Sequence, residues 1–111
     1  MDETEVRVAK TESLFRDVNE RIAECAQRFD GDEAAFVCEC ADPECTERVP
    51  APLEAYEEVR SDGTQFLLAP GHEDERVERV VRKRRRFNVV RKVNRIVAAH
   101  VRKLDPRAET T

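Results

Sequence analysis

The 111-residue sequence lacks tryptophan and contains only one Tyr and five Phe. Its three Gly are isolated from one another, so no Gly-rich loop for nucleotide phosphates is present. No run of apolar residues approaches the roughly 18 that a membrane-spanning helix needs. The opening residues Met1–Glu5 show neither the basic segment nor the apolar core of a secretory signal. We therefore expect a cytoplasmic protein with no membrane partner.

The formal net charge of -4 is the sum of a strongly acidic part and a strongly basic part of the chain. Residues 1–75 carry 7 Lys or Arg against 21 Asp or Glu, whereas residues 76–103 carry 12 Lys or Arg and one acid, Glu78. This asymmetry predicts either a segment that binds a polyanion or two complementary faces, within one molecule or between subunits. The candidate nucleic-acid-binding residues are Arg82, Lys83, Arg84, Arg85, Arg86, Phe87, Arg91 and Lys92, among which Phe87 could stack on a base.

Three of the four cysteines, Cys38, Cys40 and Cys45, lie within eight positions. The alternation in Phe36–Cys40 predicts a short strand, on which Cys38 and Cys40 point to the same face. The Asp42-Pro43 turn can bring Cys45 back beside them. Crowded thiolates repel one another, a divalent cation relieves that repulsion, and zinc prefers four tetrahedral N or S ligands. The spacing therefore predicts a zinc site.

We predict His72 as the fourth ligand, because it sits in a Pro-Gly loop directly after an apolar run. Cys25 and His100, each on the apolar stripe of a predicted helix, and water are the alternatives. With His72 the ligand shell is closed, which is typical of a structural rather than a catalytic site. Three other interpretations compete: incidental buried thiols, a disulfide between Cys40 and Cys45, and an iron–sulfur cluster that recruits Cys25.

Several of these stretches resemble a group of small, uncharacterised bacterial proteins of actinobacterial type. The resemblance covers roughly residues 8–93 and rests on Phe36–Cys40, Asp42-Pro43, Cys45, Tyr56–Arg60, Phe66 and Pro70–Glu73. It implies that the three cysteines and His72 belong to one recurring constellation. It implies no activity, because the group has none that can be transferred.

The patterns together predict an α+β fold with one domain over residues 11–104. A flexible N-terminus, 1–10, precedes this domain, and a flexible tail, 105–111, follows it. The predicted elements, in order, are a helix over 11–29, a zinc-pinned hairpin with strands 35–40 and 46–49, a short helix over 52–60, a small antiparallel sheet that includes a strand over 65–69, and a C-terminal helix over 93–104. Leu14, Val18, Ile22, Cys25 and Phe29 form the apolar stripe of the first helix.

Residues 73–92 admit two interpretations. Val80-Val81 and Phe87–Val90 are rich in strand formers and flank Arg84–Arg86, which predicts a hairpin with a charged tip. The alternative is a helix that begins at Glu73–Glu75, where acids suit a helix N-terminus.

No catalytic constellation stands out, and only two Ser and two His are present. We therefore predict a small intracellular zinc-stabilised binding or regulatory module that is not an enzyme and whose partner is another protein or a second copy. The first alternative is a nucleic-acid-binding protein that uses residues 76–103. The second is a thiol-based redox or metal sensor, because oxidation of clustered zinc thiolates releases the metal.

Overall fold

Three helices and five strands make up the part of the chain that the computed structural model describes, residues 3–108. In chain order they are α1 (Glu3–Arg28), β1 (Glu33–Val37), β2 (Arg48–Pro52), α2 (Leu53–Arg60), β3 (Gln65–Leu68), β4 (Glu78–Lys83), β5 (Asn88–Lys92) and α3 (Arg95–Lys103). The predicted α+β class and the predicted order of elements are confirmed. Within residues 3–108, no helix is long and apolar enough to cross a membrane.

The strands form two antiparallel sheets. The first is the β1–β2 hairpin, and the second has three strands in the order β3-β5-β4. The hairpin interpretation of residues 73–92 is correct: β4 and β5 pair, and Arg84 N–H donates to Phe87 C=O at 2.9 Å to close the turn around Arg85 and Arg86. The alternative helix beginning at 73–75 does not form.

The first hairpin differs from the prediction at both strands. β1 ends at Val37 rather than at residue 40, and β2 covers Arg48–Pro52 rather than 46–49. Pro50 does not break the pairing but lies opposite Ala35 in the register. In a two-stranded sheet both strands are edges, where a proline without an N–H is tolerated.

Helix α1 begins earlier than predicted, because residues 3–10, expected to be flexible, are helical. Ala9 is fully buried, so this first part of the helix packs against the core. The predicted apolar stripe is wrong: Leu14 is 66% exposed, Phe29 is 77% exposed and Cys25 is also exposed. The buried face consists of Ala9, Glu12, Ser13, Arg16, Asn19 and Ala23.

This largely polar face can be buried because Glu12, Arg16 and Asn19 find partners far away in sequence. The Arg16 guanidinium donates to Gly63 C=O at 2.8 Å and to Val101 C=O at 2.7 Å. It also lies over the Phe66 ring, 4.7 Å from the centroid. Buried polar groups are stabilised when they are hydrogen-bonded in this way. Helix α1 is thus held to α3 and to the turn before β3 by directed contacts.

A second buried contact of α1 is an ionic cluster. The Lys92 ammonium lies 2.6 Å from Glu12 Oε2 and also contacts Glu78, and all three side chains are buried. Burial raises the pKa of Glu12 from its ordinary value of 4.5 to about 8, although the nearby Lys92 opposes the shift. A proton on one of the two carboxyl groups makes the cluster electrically neutral, which is the less costly state in a low-dielectric interior.

The predicted C-terminal elements need one correction. Asn94 caps α3 by accepting the N–H groups of Ile96 and Val97, and the helix ends at Lys103. Residues 105–108, predicted to be part of a flexible tail, are held by ion pairs: Asp105 contacts Arg60, and Arg107 contacts Glu20 and Glu57. The rest of that predicted tail, 109–111, lies outside the described residues.

The ionic cluster predicts how stability depends on pH. Because Glu12 holds a proton in the folded state up to about pH 8 but loses it near 4.5 when unfolded, its stabilising contribution is complete below that lower value. It is lost as the pH rises through about 8. The variant Glu12→Gln cannot ionise, so its melting temperature should rise relative to that of the parent protein between pH 6 and pH 9, by about 4 °C or more. Thermal unfolding followed by circular dichroism measures this difference, and parallel curves for the two proteins would contradict the assignment.

Candidate metal centre

The segment Cys38–Cys40 leaves the β1–β2 hairpin and lies along the free edge of β3. Glu39 N–H donates to Leu67 C=O at 2.8 Å, and Ala69 N–H donates to the Cys38 sulfur at 3.2 Å. Because β3 is an edge strand of the three-stranded sheet, this segment satisfies backbone groups that the sheet leaves unpaired. It therefore joins the two sheets and fixes the position of the first thiol.

The predicted turn at Asp42-Pro43 returns Cys45 to the same place. Cys45 N–H donates to Asp42 C=O at 3.1 Å, and Glu44 N–H donates to the Asp42 carboxylate at 2.9 Å. An aspartate that accepts a backbone N–H two residues ahead stabilises such turns. All three clustered cysteines are thus supplied by the connection between β1 and β2.

His72 approaches from a turn that follows β3. His72 N–H donates to Ala69 C=O at 3.1 Å, and Gly71 has a φ of 86°, a left-handed conformation that favours glycine. This turn directs the imidazole Nδ1 at the thiols, 3.6 Å from Cys38 Sγ and 3.6 Å from Cys45 Sγ.

The structure thus brings all four predicted ligands together: Cys38, Cys40, Cys45 and His72 each offer one ligand atom, and these atoms lie within 4.8 Å of one another. The alternative fourth ligands do not join them. Cys25 is exposed on α1, where the sequence also predicted a core position for it, and His100 lies on α3. The four cysteines are free thiols, so the Cys40–Cys45 disulfide does not form.

The thiols influence one another's protonation. The hydrogen bond from the Cys38 thiol lowers the pKa of Cys40 to about 5. The same hydrogen bond, together with burial, raises the pKa of Cys38, and burial also raises the pKa of Cys45. A cation that binds the group must displace the protons that the thiols still hold.

Glu39, between the first two cysteines, is a structural residue that the sequence analysis missed. Its fully buried carboxylate accepts hydrogen bonds from Leu67 N–H at 2.8 Å, from the Asn19 amide at 2.8 Å and from the Tyr56 hydroxyl at 2.9 Å. Burial raises the pKa of Glu39, and these three donors oppose that shift by favouring the charged form. Its partners are 17 to 28 residues away in the chain, so no local pattern indicates this role.

An open cleft of about 570 Å³ lies directly beside the candidate metal centre. Cys40 and His72 form part of its wall, and four acids, Asp42, Glu73, Asp74 and Glu75, line the rest together with Ala41 and Gly71. The side of the site that faces solvent is therefore strongly negative.

The predicted nucleic-acid-binding residues separate into three groups. Phe87 is only 7% exposed and Lys92 is buried in the ionic cluster, so neither can contact a nucleic acid as predicted. Arg82 pairs with Glu58 at 2.8 Å and Arg91 lies 3.6 Å from Asp62, as the alternative of internal charge pairing predicted. The remaining four, Lys83, Arg84, Arg85 and Arg86, are exposed at the tip of the β4–β5 hairpin.

Comparison of the chain with protein-family models, with curated proteins and with solved structures finds no match. The resemblance to small actinobacterial-type proteins therefore stays a prediction from the sequence.

The contacts of Glu39 predict a graded loss of stability. Glu39→Ala leaves three buried donors without an acceptor, at about 1–3 kcal/mol each, whereas Tyr56→Phe removes only one of the donors and should cost about 1–2 kcal/mol. The exposed Glu44 provides a matched control, and Glu44→Ala should change the free energy of unfolding by less than about 0.5 kcal/mol. Urea unfolding measures all three variants. Equal effects of Glu39→Ala and Glu44→Ala would show that Glu39 has no such role.

Proposed function

We propose that this chain is a small intracellular binding or regulatory module that is stabilised by a structural zinc ion. Its ligands are Cys38, Cys40, Cys45 and His72. The observation that carries the proposal is the convergence of three sulfurs and one imidazole nitrogen from two separate loops within 4.8 Å. Donor sets of this composition are typical of structural zinc sites.

The distances within the group fit a tetrahedral zinc ion. A tetrahedral zinc with Zn–S bonds near 2.3 Å and a Zn–N bond near 2.0–2.1 Å places each sulfur about 3.6 Å from the nitrogen. Both measured separations of His72 Nδ1 from a sulfur, to Cys38 and to Cys45, are 3.6 Å. Soft thiolates combined with an imidazole also favour zinc over cations that prefer oxygen ligands.

A structural role follows from what the ion would connect. Cys45 and His72 are separated by 27 positions, and helix α2 and strand β3 lie between them. Closing a loop of that length removes conformational freedom from the unfolded chain, worth on the order of 3 kcal/mol. This is a large share of the roughly 5–15 kcal/mol that stabilises an ordinary domain.

The proposal of a binding module rather than an enzyme rests on the ligand set. Four protein ligands complete a tetrahedral shell and leave no position for a reacting water or a substrate. Clustered cysteines that are not paired in disulfides are typical of the cell interior, which supports the intracellular assignment. The redox-sensor alternative stays a prediction, and it would be supported by zinc release on mild peroxide treatment.

Zinc content tests the proposal directly. The purified protein should contain about one equivalent of zinc, and a chelator should lower its melting temperature by about 4 °C or more. Cys40→Ser and His72→Ala should each lose most of the zinc. Cys25→Ser and His100→Ala are the matched controls and should keep it. Elemental analysis measures the metal in each protein.

Two results would contradict this ligand assignment. One is a parent protein that carries well under one equivalent of zinc and unfolds identically with and without a chelator. The other is a zinc content that falls in Cys25→Ser but not in His72→Ala.

A further inference from the structure

The tip of the β4–β5 hairpin presents four consecutive cations to solvent, Lys83, Arg84, Arg85 and Arg86. The tip has a defined conformation, because Arg84 N–H donates to Phe87 C=O and Phe87 is buried directly behind it. At its base, Asn88 pairs with Lys83 on one side and with Leu68 of β3 on the other. The four cations therefore lie on a turn whose backbone conformation is fixed by hydrogen bonds and strand pairing.

None of these cations forms an ion pair with a carboxylate of the described chain, although acids are abundant. Elsewhere on the molecule Arg60, Arg82, Arg91, Lys92 and Arg107 each lie within ion-pair distance of a carboxylate. In contrast, no ion pair within residues 3–108 involves any of the four tip side chains, and the Arg84 guanidinium contacts only the carbonyl of Lys83. Lys10, Arg21 and Arg28 of α1 are also exposed without an ion pair in this part of the chain, but they are spread along the helix rather than adjacent. Four adjacent like charges without a counter-charge are unfavourable in the isolated molecule and are relieved when a polyanion binds.

We propose that the hairpin tip, Lys83–Arg86, binds double-stranded DNA through its backbone phosphates. This inference rests on the proposed role as a binding module and names its partner. Arginine and lysine neutralise phosphates without reading the sequence, so the binding is independent of sequence and sensitive to salt.

The geometry favours a duplex over a single strand. Proteins that bind single strands stack bases on exposed aromatic side chains, whereas the one aromatic residue beside this tip, Phe87, is buried. The tip meets a duplex at its phosphates rather than inside a groove, because β5 is flanked by β3 as far as Asn88 and the hairpin does not project as a free two-stranded ribbon. A DNA duplex offers the denser target, with one negative charge per about 1.7 Å of helix axis against one per about 3.4 Å for each strand. Four acids, Asp42 and Glu73–Glu75, line the cleft beside the metal centre, and Glu73 accepts a hydrogen bond from Asn88 at the base of the tip. These acids repel phosphates and so confine the contact to the tip.

The test compares two triple variants that remove the same charge from different places. Arg84→Gln/Arg85→Gln/Arg86→Gln removes three of the four tip charges, and Lys10→Gln/Arg21→Gln/Arg28→Gln removes three exposed charges of α1. The probe is a fluorescent DNA duplex of about 20 base pairs, titrated at NaCl concentrations between about 50 and 200 mM. Fluorescence anisotropy gives the affinity. Circular dichroism and zinc analysis of the same samples establish that each variant is folded and contains zinc.

The parent protein should bind the duplex at the lowest salt, with an affinity that falls as salt rises. The tip variant should bind at least about 10-fold more weakly, and its plot of log affinity against log salt should be shallower by about 3, which corresponds to three lost phosphate contacts. The α1 variant should stay within about 3-fold of the parent, since a loss there would reflect net charge alone.

Three results would overturn the inference: no duplex binding by the parent protein at about 50 mM salt, equal losses in the two triple variants, or tighter binding of the single strand than of the duplex. The zinc measurement keeps the two proposals separate. A protein that binds the duplex through the tip but contains no zinc would contradict only the metal assignment, and a zinc-loaded protein without DNA binding would contradict only this inference.

Discussion

One buried carboxylate, that of Glu39, holds the parts of this molecule together. It accepts hydrogen bonds from β3 through Leu67, from α1 through Asn19 and from α2 through Tyr56. Because Glu39 lies between Cys38 and Cys40, the contacts that fix its side chain also fix the chain segment that carries both sulfurs. The position of the candidate metal centre thus depends on a buried, hydrogen-bonded carboxylate. A buried carboxylate without hydrogen-bond partners would be strongly unfavourable, so the Glu39 carboxylate depends on its three donors.

The same principle explains the unusual helix α1. Its buried face is largely polar, and each buried ionic or amide group is matched by a distant partner: Arg16 by two carbonyls and an aromatic face, Asn19 by the backbone of Val37, and Glu12 by Lys92. Such contacts are directional, so they specify how the helix is rotated and where it sits more strictly than apolar packing does. The leucine and phenylalanine that the helix exposes do not determine its orientation.

The candidate site could be predicted from the sequence because the residues that shape each loop lie next to the ligands along the chain. Three cysteines with an Asp-Pro turn between them, and a histidine after a Pro-Gly turn, define their own geometry within short stretches. The face of α1 could not be predicted in this way. Arg16 finds its partners 47 and 85 positions away, and Glu12 contacts a lysine 80 positions away. For this reason, the hydrophobic periodicity of α1 predicted a buried stripe through Leu14 and Phe29, two residues that the structure exposes. The prediction that Phe87 and Lys92 contact nucleic acid failed for the same reason, since only the tertiary structure shows that both are buried.

We propose that Cys38, Cys40, Cys45 and His72 together surround one zinc ion. X-ray absorption at the zinc edge of the purified protein tests this claim most directly, because it reports the number and kind of atoms bonded to the metal. We expect three sulfur neighbours near 2.3 Å and one nitrogen neighbour near 2.0–2.1 Å. Four sulfur neighbours, which would require Cys25, or a shell of nitrogen and oxygen alone, would contradict the proposal.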